Sequence, residues 1–183
     1  KGIFEQNIGT NSEPIWSVVI AGQEISATDI NSGKLRFTAD ANQNGEGYSS
    51  VKFKVNDGAA WCLDSKTMTI NVAPVNDSPS GADKFVNLLE DGRYTIVASD
   101  FGFSDSVDAG SQSGSNSLEA VKITTLPSAG LLNLDGNAVV AGDLISVADI
   151  DAGKLVFTPA TGQSGDNYAS FTFQVRDNGG TTN

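Results

Sequence analysis

Oxygen-bearing side chains gather at a few points of this sequence. They are Asn76 and Asp77 in Val-Asn-Asp-Ser-Pro, Glu90 and Asp91, Asp105 and Asp108 in Phe-Ser-Asp-Ser-Val-Asp-Ala-Gly, and Asp177 followed by Asn178. Such a set suits a hard cation. Calcium takes about six to eight oxygens from carboxylates, amide side chains and backbone carbonyls, and it relieves the repulsion that makes a bare carboxylate cluster unfavourable. The competing reading is local, since Asp and Asn are common turn formers. Both readings stay open on sequence.

Other chemistries are harder to build. The chain has no histidine, and its one thiol, Cys62, has no imidazole to activate it, which removes Ser-His-Asp and Cys-His catalysis and the usual zinc ligands. A carboxylate pair for glycoside hydrolysis stays open, because nearly any acidic β protein offers candidates. The segment Asp40-Ala-Asn42-Gln-Asn44-Gly45 opens like an EF-hand loop but has Val51 where the bidentate Glu belongs. A polar turn is the simpler account of it. Trp16 and Trp61 could stack on a sugar ring; packing is the ordinary role for Trp16, and Trp61, beside Cys62 in a loop, is the better surface candidate.

The elements that must position these residues come from a repeat. Residues 19–57 lie over 139–177 without a gap, Gly33 on Gly153 and Asp57 on Asp177, with about half the positions identical. On this frame Lys1 falls opposite Val121. The first copy is therefore expected to lack the opening strands that residues 84–88 and 93–99 supply to the second, and the second to lack a counterpart of 67–72. Either a longer array has been cut, as a start at Lys1 without Met suggests, or neighbouring chains supply the strands.

Strand signals are period-two alternations: Val51, Phe53 and Val55; Phe171, Phe173 and Val175; Met68, Ile70 and Val72. Strands with one apolar face need a second sheet to cover it. Gly33-Lys34 and Gly153-Lys154 mark turns into buried strands, and no long helical pattern occurs. The expected fold is all-β, with tandem immunoglobulin/cadherin-like β-sandwiches, the first one N-terminally truncated. The boundary falls in the proline-stiffened stretch 72–81, which gives domains 1–75 and 76–183.

The balance of 22 acidic to 11 basic residues, net charge -11, argues against nucleic acid or anionic membrane as partner and favours cations. It also keeps a secreted protein soluble. With one cysteine, a cystine framework cannot hold the fold, and no apolar stretch approaches the roughly 18 residues of a membrane span. No signal peptide is evident.

The run Ile-Ser-x-x-Asp-Ile-x-x-Gly-Lys-Leu-x-Phe-Thr, followed by Tyr, an alternating Phe-x-Val strand and Asp-Asn-Gly or Asn-Asp-Gly, resembles the cadherin-like repeats of large secreted bacterial RTX-type adhesins. It is also similar to chondroitin sulfate proteoglycan repeats. Together with Pro-Val-Asn-Asp-Ser-Pro and Leu-Glu-Asp-Gly, the resemblance covers almost the whole chain. It implies tandem extracellular sandwiches with Ca2+ at the junctions. Asn76 and Asp77 would match the linker ligands, Asp105 and Asp108 the paired aspartates after the second strand, and Asp177 the aspartate after a late strand. Glu90 would serve a site at the far end of the domain. The polar insert 111–116 departs from the family's compact Asp-rich loop.

The resulting expectation is a non-enzymatic, calcium-stiffened extension module of a repetitive secreted or cell-surface bacterial adhesin. Its partners would be neighbouring repeats of the same chain or array. Two other classes stay open: a filament subunit that self-associates by strand complementation, and a carbohydrate-binding module that meets surface glycans.

Overall fold

The computed structural model describes residues 1–111 and 114–179. Within them the chain is mostly strand, in small antiparallel sheets, with two short helices. It divides into two units. The first is Lys1–Pro74, to which the short segment from Gly110 is also assigned; the second takes up at Val75–Ala109 and continues from Gly114.

Unit 1 contains β1 (Ile3–Asn7), β2 (Trp16–Val18), α1 (Ala27–Asn31), β3 (Leu35–Thr38), β4 (Gly45–Phe53) and β5 (Lys66–Val72). One sheet has the order β2-β1-β3, and β4 pairs with β5 alone. The alternation that marks β4 and β5 in sequence sets their register, with Val51 opposite Met68 and Ser49 opposite Ile70. Phe4, Phe37 and Tyr48 pack in turn, the first pair tilted and the second edge-on, with ring centroids 5.2 and 6.2 Å apart. Tyr48 is the one buried hydrophobic residue of this unit among the described residues.

Unit 2 contains β6 (Tyr94–Thr95), a 3-10 turn (Ala98–Phe101), β7 (Leu118–Thr125), β8 (Leu131–Leu134), β9 (Asn137–Ala138), β10 (Leu144–Ser146), α2 (Val147–Asp151), β11 (Leu155–Thr158) and β12 (Thr172–Asp177). They form two antiparallel sheets, β6-β11-β8-β9 and β10-β7-β12. Residues of both sheets enter one cluster: Leu132 and Leu155 from the first and Val121, Ile123 and Ile145 from the second, closed by Ile96, Phe101, Val139 and Ile150. Phe101 meets Phe173 edge-on at 4.9 Å. Burying an aliphatic side chain of this size contributes roughly 1.5–3 kcal/mol, so this cluster is the main source of the unit's stability.

Both units use the same helical corner. The Ser26 and Ser146 hydroxyls accept the N–H of Asp29 and Asp149 at 3.0 and 3.1 Å, which caps α1 and α2. Each helix then ends on a glycine, Gly33 or Gly153, at φ 71, a left-handed conformation that a side chain would strain. The next lysine turns back onto the aspartate of the first helical turn, Lys34 on Asp29 at 3.4 Å and Lys154 on Asp149 at 2.6 Å. The glycine-lysine pairs expected as simple turns are thus helix ends. Five residues are too few for a periodic pattern to register.

The repeat frame needs one correction. Leu35 and Phe37 of β3 pair with Gln6 and Phe4, as Leu155 and Phe157 of β11 pair with Leu134 and Leu132. Gly2 and Gly130 take the same left-handed turn against Phe37 and Phe157. So β1 is the counterpart of β8, and Lys1 lies opposite Ala129 rather than Val121. The shift is absorbed by a longer β1–β2 loop at residues 8–15, organised by buried Asn7, whose Oδ1 accepts the N–H of Gly9 and Ile15 at 2.9 Å each. Unit 1 therefore holds no counterpart of β7 as well as none of β6. Of the opening strands expected in unit 2, only Tyr94–Thr95 is a strand; residues 84–88 are irregular, and Val97 leads into the 3-10 turn instead.

No helix among the described residues is long and apolar enough to cross a membrane.

Candidate functional site

Three carboxylates of unit 2 are buried at one end of the sheet that holds β12. Asp177 closes β12, Asp105 follows the isolated bridge between Ser80 and Ser104, and Asp108 opens a short 3-10 turn, Asp108–Gly110. Their exposures are 5%, 7% and 3%. Carboxylates are rarely this buried without a partner cation. None of the ion pairs among the described residues reaches them.

Backbone and amide donors hold them instead. The Asn76 amide Nδ2 donates to Asp177 Oδ1 and Oδ2 at 3.3 and 3.4 Å, and the Asp77 N–H donates to Asp108 Oδ2 at 2.9 Å. The Asn116 N–H donates to Asp105 Oδ2, and its side-chain amide donates to Asn76 Oδ1. Asn178 bridges by exchange with Ser117: its Oδ1 accepts the Ser117 N–H at 2.9 Å and its own N–H meets the Ser117 carbonyl at 3.1 Å. Asp177 Oδ1 also takes the Gly179 N–H at 2.9 Å, and a Cβ on Gly179 would run into the Asn76 carboxamide.

The residues expected from sequence as metal ligands thus fall into two groups. Asn76, Asp77, Asp105, Asp108 and Asp177 belong to this one network. Glu90 does not: it is exposed in the turn whose Asp91 Oδ1 accepts the Gly162 N–H at 2.9 Å, beside the loop that precedes β12, whereas the network sits at the end of β12. Asn116 joins the network although nothing in the sequence singles it out; it closes the polar insert 111–116, of which residues 112 and 113 lie outside the described residues.

One oxygen of the network is left over. Asp105 Oδ1 is buried and accepts no hydrogen bond from the described residues. An unmet buried carboxylate oxygen costs about 1–3 kcal/mol or more. The donor set is carboxylate and amide oxygen, which fits a hard cation such as calcium and offers none of the imidazole or thiolate ligands usual for zinc and copper. As they stand, no three acidic groups among the described residues converge into a formed metal cage. The Asn76 and Asn116 amides link the carboxylates, and turning the Asn76 carboxamide would present a further oxygen to Asp177.

Comparison with protein-family models, curated proteins and solved structures finds no match to the chain.

Other sequence candidates resolve locally. Asp57, the repeat counterpart of Asp177, is exposed and caps its own hairpin, accepting the N–H of Ala59 and Ala60 at 2.9 and 3.0 Å; those donors hold its carboxyl below the usual range. The EF-hand-like segment is a tight turn, Gln43 N–H to Asp40 carbonyl at 3.3 Å, repeated by Gln163 and Ala160 at 3.1 Å. In both copies the following tyrosine hydroxyl, Tyr48 or Tyr168, accepts the N–H of Asp40 or Ala160. Trp16 is covered by the Arg36 guanidinium, 3.8 Å from its ring centre, with Arg36 bonded to Glu5 at 2.8 Å. That leaves Trp61, 47% exposed, as the open indole.

Proposed function

We propose that the chain is a calcium-stiffened extension module of a secreted or cell-surface adhesin, built from tandem immunoglobulin/cadherin-like sandwiches, and not an enzyme. The observation that carries this reading is the buried set Asp105, Asp108 and Asp177 with the unmet oxygen of Asp105. Asn76, Asp77, Asp105, Asp108 and Asp177 would hold the ion, whose charge offsets the repulsion among them. Because Asn76 and Asp77 directly follow Pro74 and Val75, the ion would order the first residues of unit 2. A tether so ordered resists bending. The shared core of two sheets and the tyrosine hydroxyls that reach back to the backbone support the sandwich assignment.

Small-angle scattering with and without millimolar calcium tests the stiffening. The proposal expects a longer particle with calcium and loss of the effect in Asp77→Ala, which removes a candidate carboxylate; an unchanged dimension contradicts it.

The filament reading has one observation in its favour, the exposed apolar residues of unit 1. Calcium-independent, concentration-dependent polymerisation would favour it over the extension module.

A further inference from the structure

We infer that the side-chain amides of Asn76 and Asn116 form a latch over the buried carboxylates, closed in this structure, and that both amides turn together when a hard divalent cation enters. Asn116 is then the positioning residue for Asn76. The inference rests on the calcium reading of this site.

The closed position follows from donor chemistry. A carboxylate can only accept, so the side of the Asn76 carboxamide that meets both oxygens of Asp177, at 3.3 and 3.4 Å, is its NH2 group. Its Oδ1 points the other way and accepts from the Asn116 amide. The Asn116 backbone is pinned in the same network: its N–H donates to Asp105 Oδ2, and buried Asp105 Oδ1 has no partner among the described residues. One carboxylate of the set therefore has an oxygen to offer, while another is covered by amide hydrogens. A cation that takes about six to eight oxygens is repelled by those hydrogens and needs the oxygen behind them.

Turning Asn76 alone does not solve this. Its Oδ1 would come to Asp177, but its Nδ2 would swing against the Nδ2 of Asn116. Two facing donors repel and leave both groups unmet, a cost that a second turn removes. With Asn116 also turned, its Oδ1 accepts from Asn76 and the pair is satisfied again.

Gly179 supplies the room in which the amides meet. A Cβ at this position would overlap Asn76 Oδ1 and come within 2.7 Å of Asn116 Nδ2. The local turn does not itself demand glycine. Its counterpart in unit 1 has Ala59, whose N–H meets Asp57 Oδ1 at 2.9 Å just as the Gly179 N–H meets Asp177 Oδ1 at 2.9 Å. What demands glycine in unit 2 is the amide pair.

Nuclear magnetic resonance of the side-chain amides, on the whole chain in chelator and then through a calcium titration, tests this. In the parent, the Asn76 NH2 protons are expected to contact Asp177 in chelator and Gly179 in calcium, with the Asn116 amide resonances shifting over the same titration range. Asn116→Asp offers only acceptors, so Asn76 is expected to have turned already in chelator, with the Gly179 contacts present before any calcium is added. Ser115→Asp places the same charge on an exposed neighbour and is expected to leave Asn76 on Asp177 in chelator. The inference is overturned if calcium binds while Asn76 keeps its contacts to Asp177, if the Asn116 resonances do not move with those of Asn76, or if the two aspartate variants behave alike. Absence of calcium binding by the parent overturns the calcium reading, and this inference with it.

Discussion

Asn76 and Asp177 are 101 residues apart in sequence, yet the Asn76 amide reaches both oxygens of the Asp177 carboxylate. That contact fastens the start of unit 2 to the end of its last described strand, and it brings the candidate cation site together. Asn76→Ala removes the amide and leaves Asp177 buried. The expected loss is about 1–3 kcal/mol of unit 2 stability, read by urea unfolding; a change under about 0.5 kcal/mol would show that the contact carries no load.

Asp105 should reveal the cation by a change of sign. In chelator, Asp105→Asn removes a buried negative charge, one oxygen of which has no partner among the described residues, and is expected to stabilise unit 2 by about 1–3 kcal/mol. In calcium the same substitution removes a ligand and is expected to destabilise relative to the parent. Thermal melts under the two conditions check this, and a substitution effect of the same sign in both would refute it.

Gly179→Ala places a methyl group against the Asn76 carboxamide. An expected cost of about 1–3 kcal/mol in unit 2 follows from the overpacking. Gly136→Ala, where a Cβ meets open space but the backbone sits at φ 81, serves as the strain comparison without a clash.

Much of this arrangement could be read before the structure. Period-two alternation marks β4, β5 and β12 because each has one apolar face, and the repeat shows that the two units share a design. The carboxylates stand out because acidic residues in loops are visible as composition. What escaped had no periodic signature. α1 and α2 are one turn long and declare themselves only by a capping Ser three residues before an Asp and by the Gly-Lys pair after it. The longer loop at residues 8–15 escaped because a gapless overlay of residues 19–57 says nothing about pairing upstream. Asn116 escaped because its role depends on a neighbour, Asn76, forty residues away.

The helical corner predicts an acid response. Lys154 hydrogen-bonds Asp149 and, with help from Ser146, holds its carboxyl below the usual range. A lowered folded-state pKa means the contribution is present above the ordinary carboxylate range and is lost as pH falls through the lowered value. Carbon-13 titration of the Asp149 carboxyl should therefore show a midpoint below that of an unstructured peptide, and Lys154→Met should raise it. Equal midpoints in the two proteins would refute the pairing.

Equivalent isoleucines should differ in cost. Ile150→Ala empties a fully buried position and is expected to cost about 2–5 kcal/mol, whereas Ile30→Ala, half exposed, should cost under about 1 kcal/mol. Denaturant unfolding followed separately in the two units measures both; similar losses would mean that unit 1 buries Ile30 in solution.

Calorimetric titration of calcium into the chelator-treated chain, paired with melting curves, tests the central claim most directly. The account predicts saturable binding, a rise in the melting temperature of unit 2 by at least about 5 °C at saturating calcium, and loss of both when Asp105 and Asp108 are replaced by Asn. No binding heat and no thermal shift in the parent chain would contradict it, and would leave the buried carboxylates as turn and strand caps held by Asn76, Asn116 and the backbone alone.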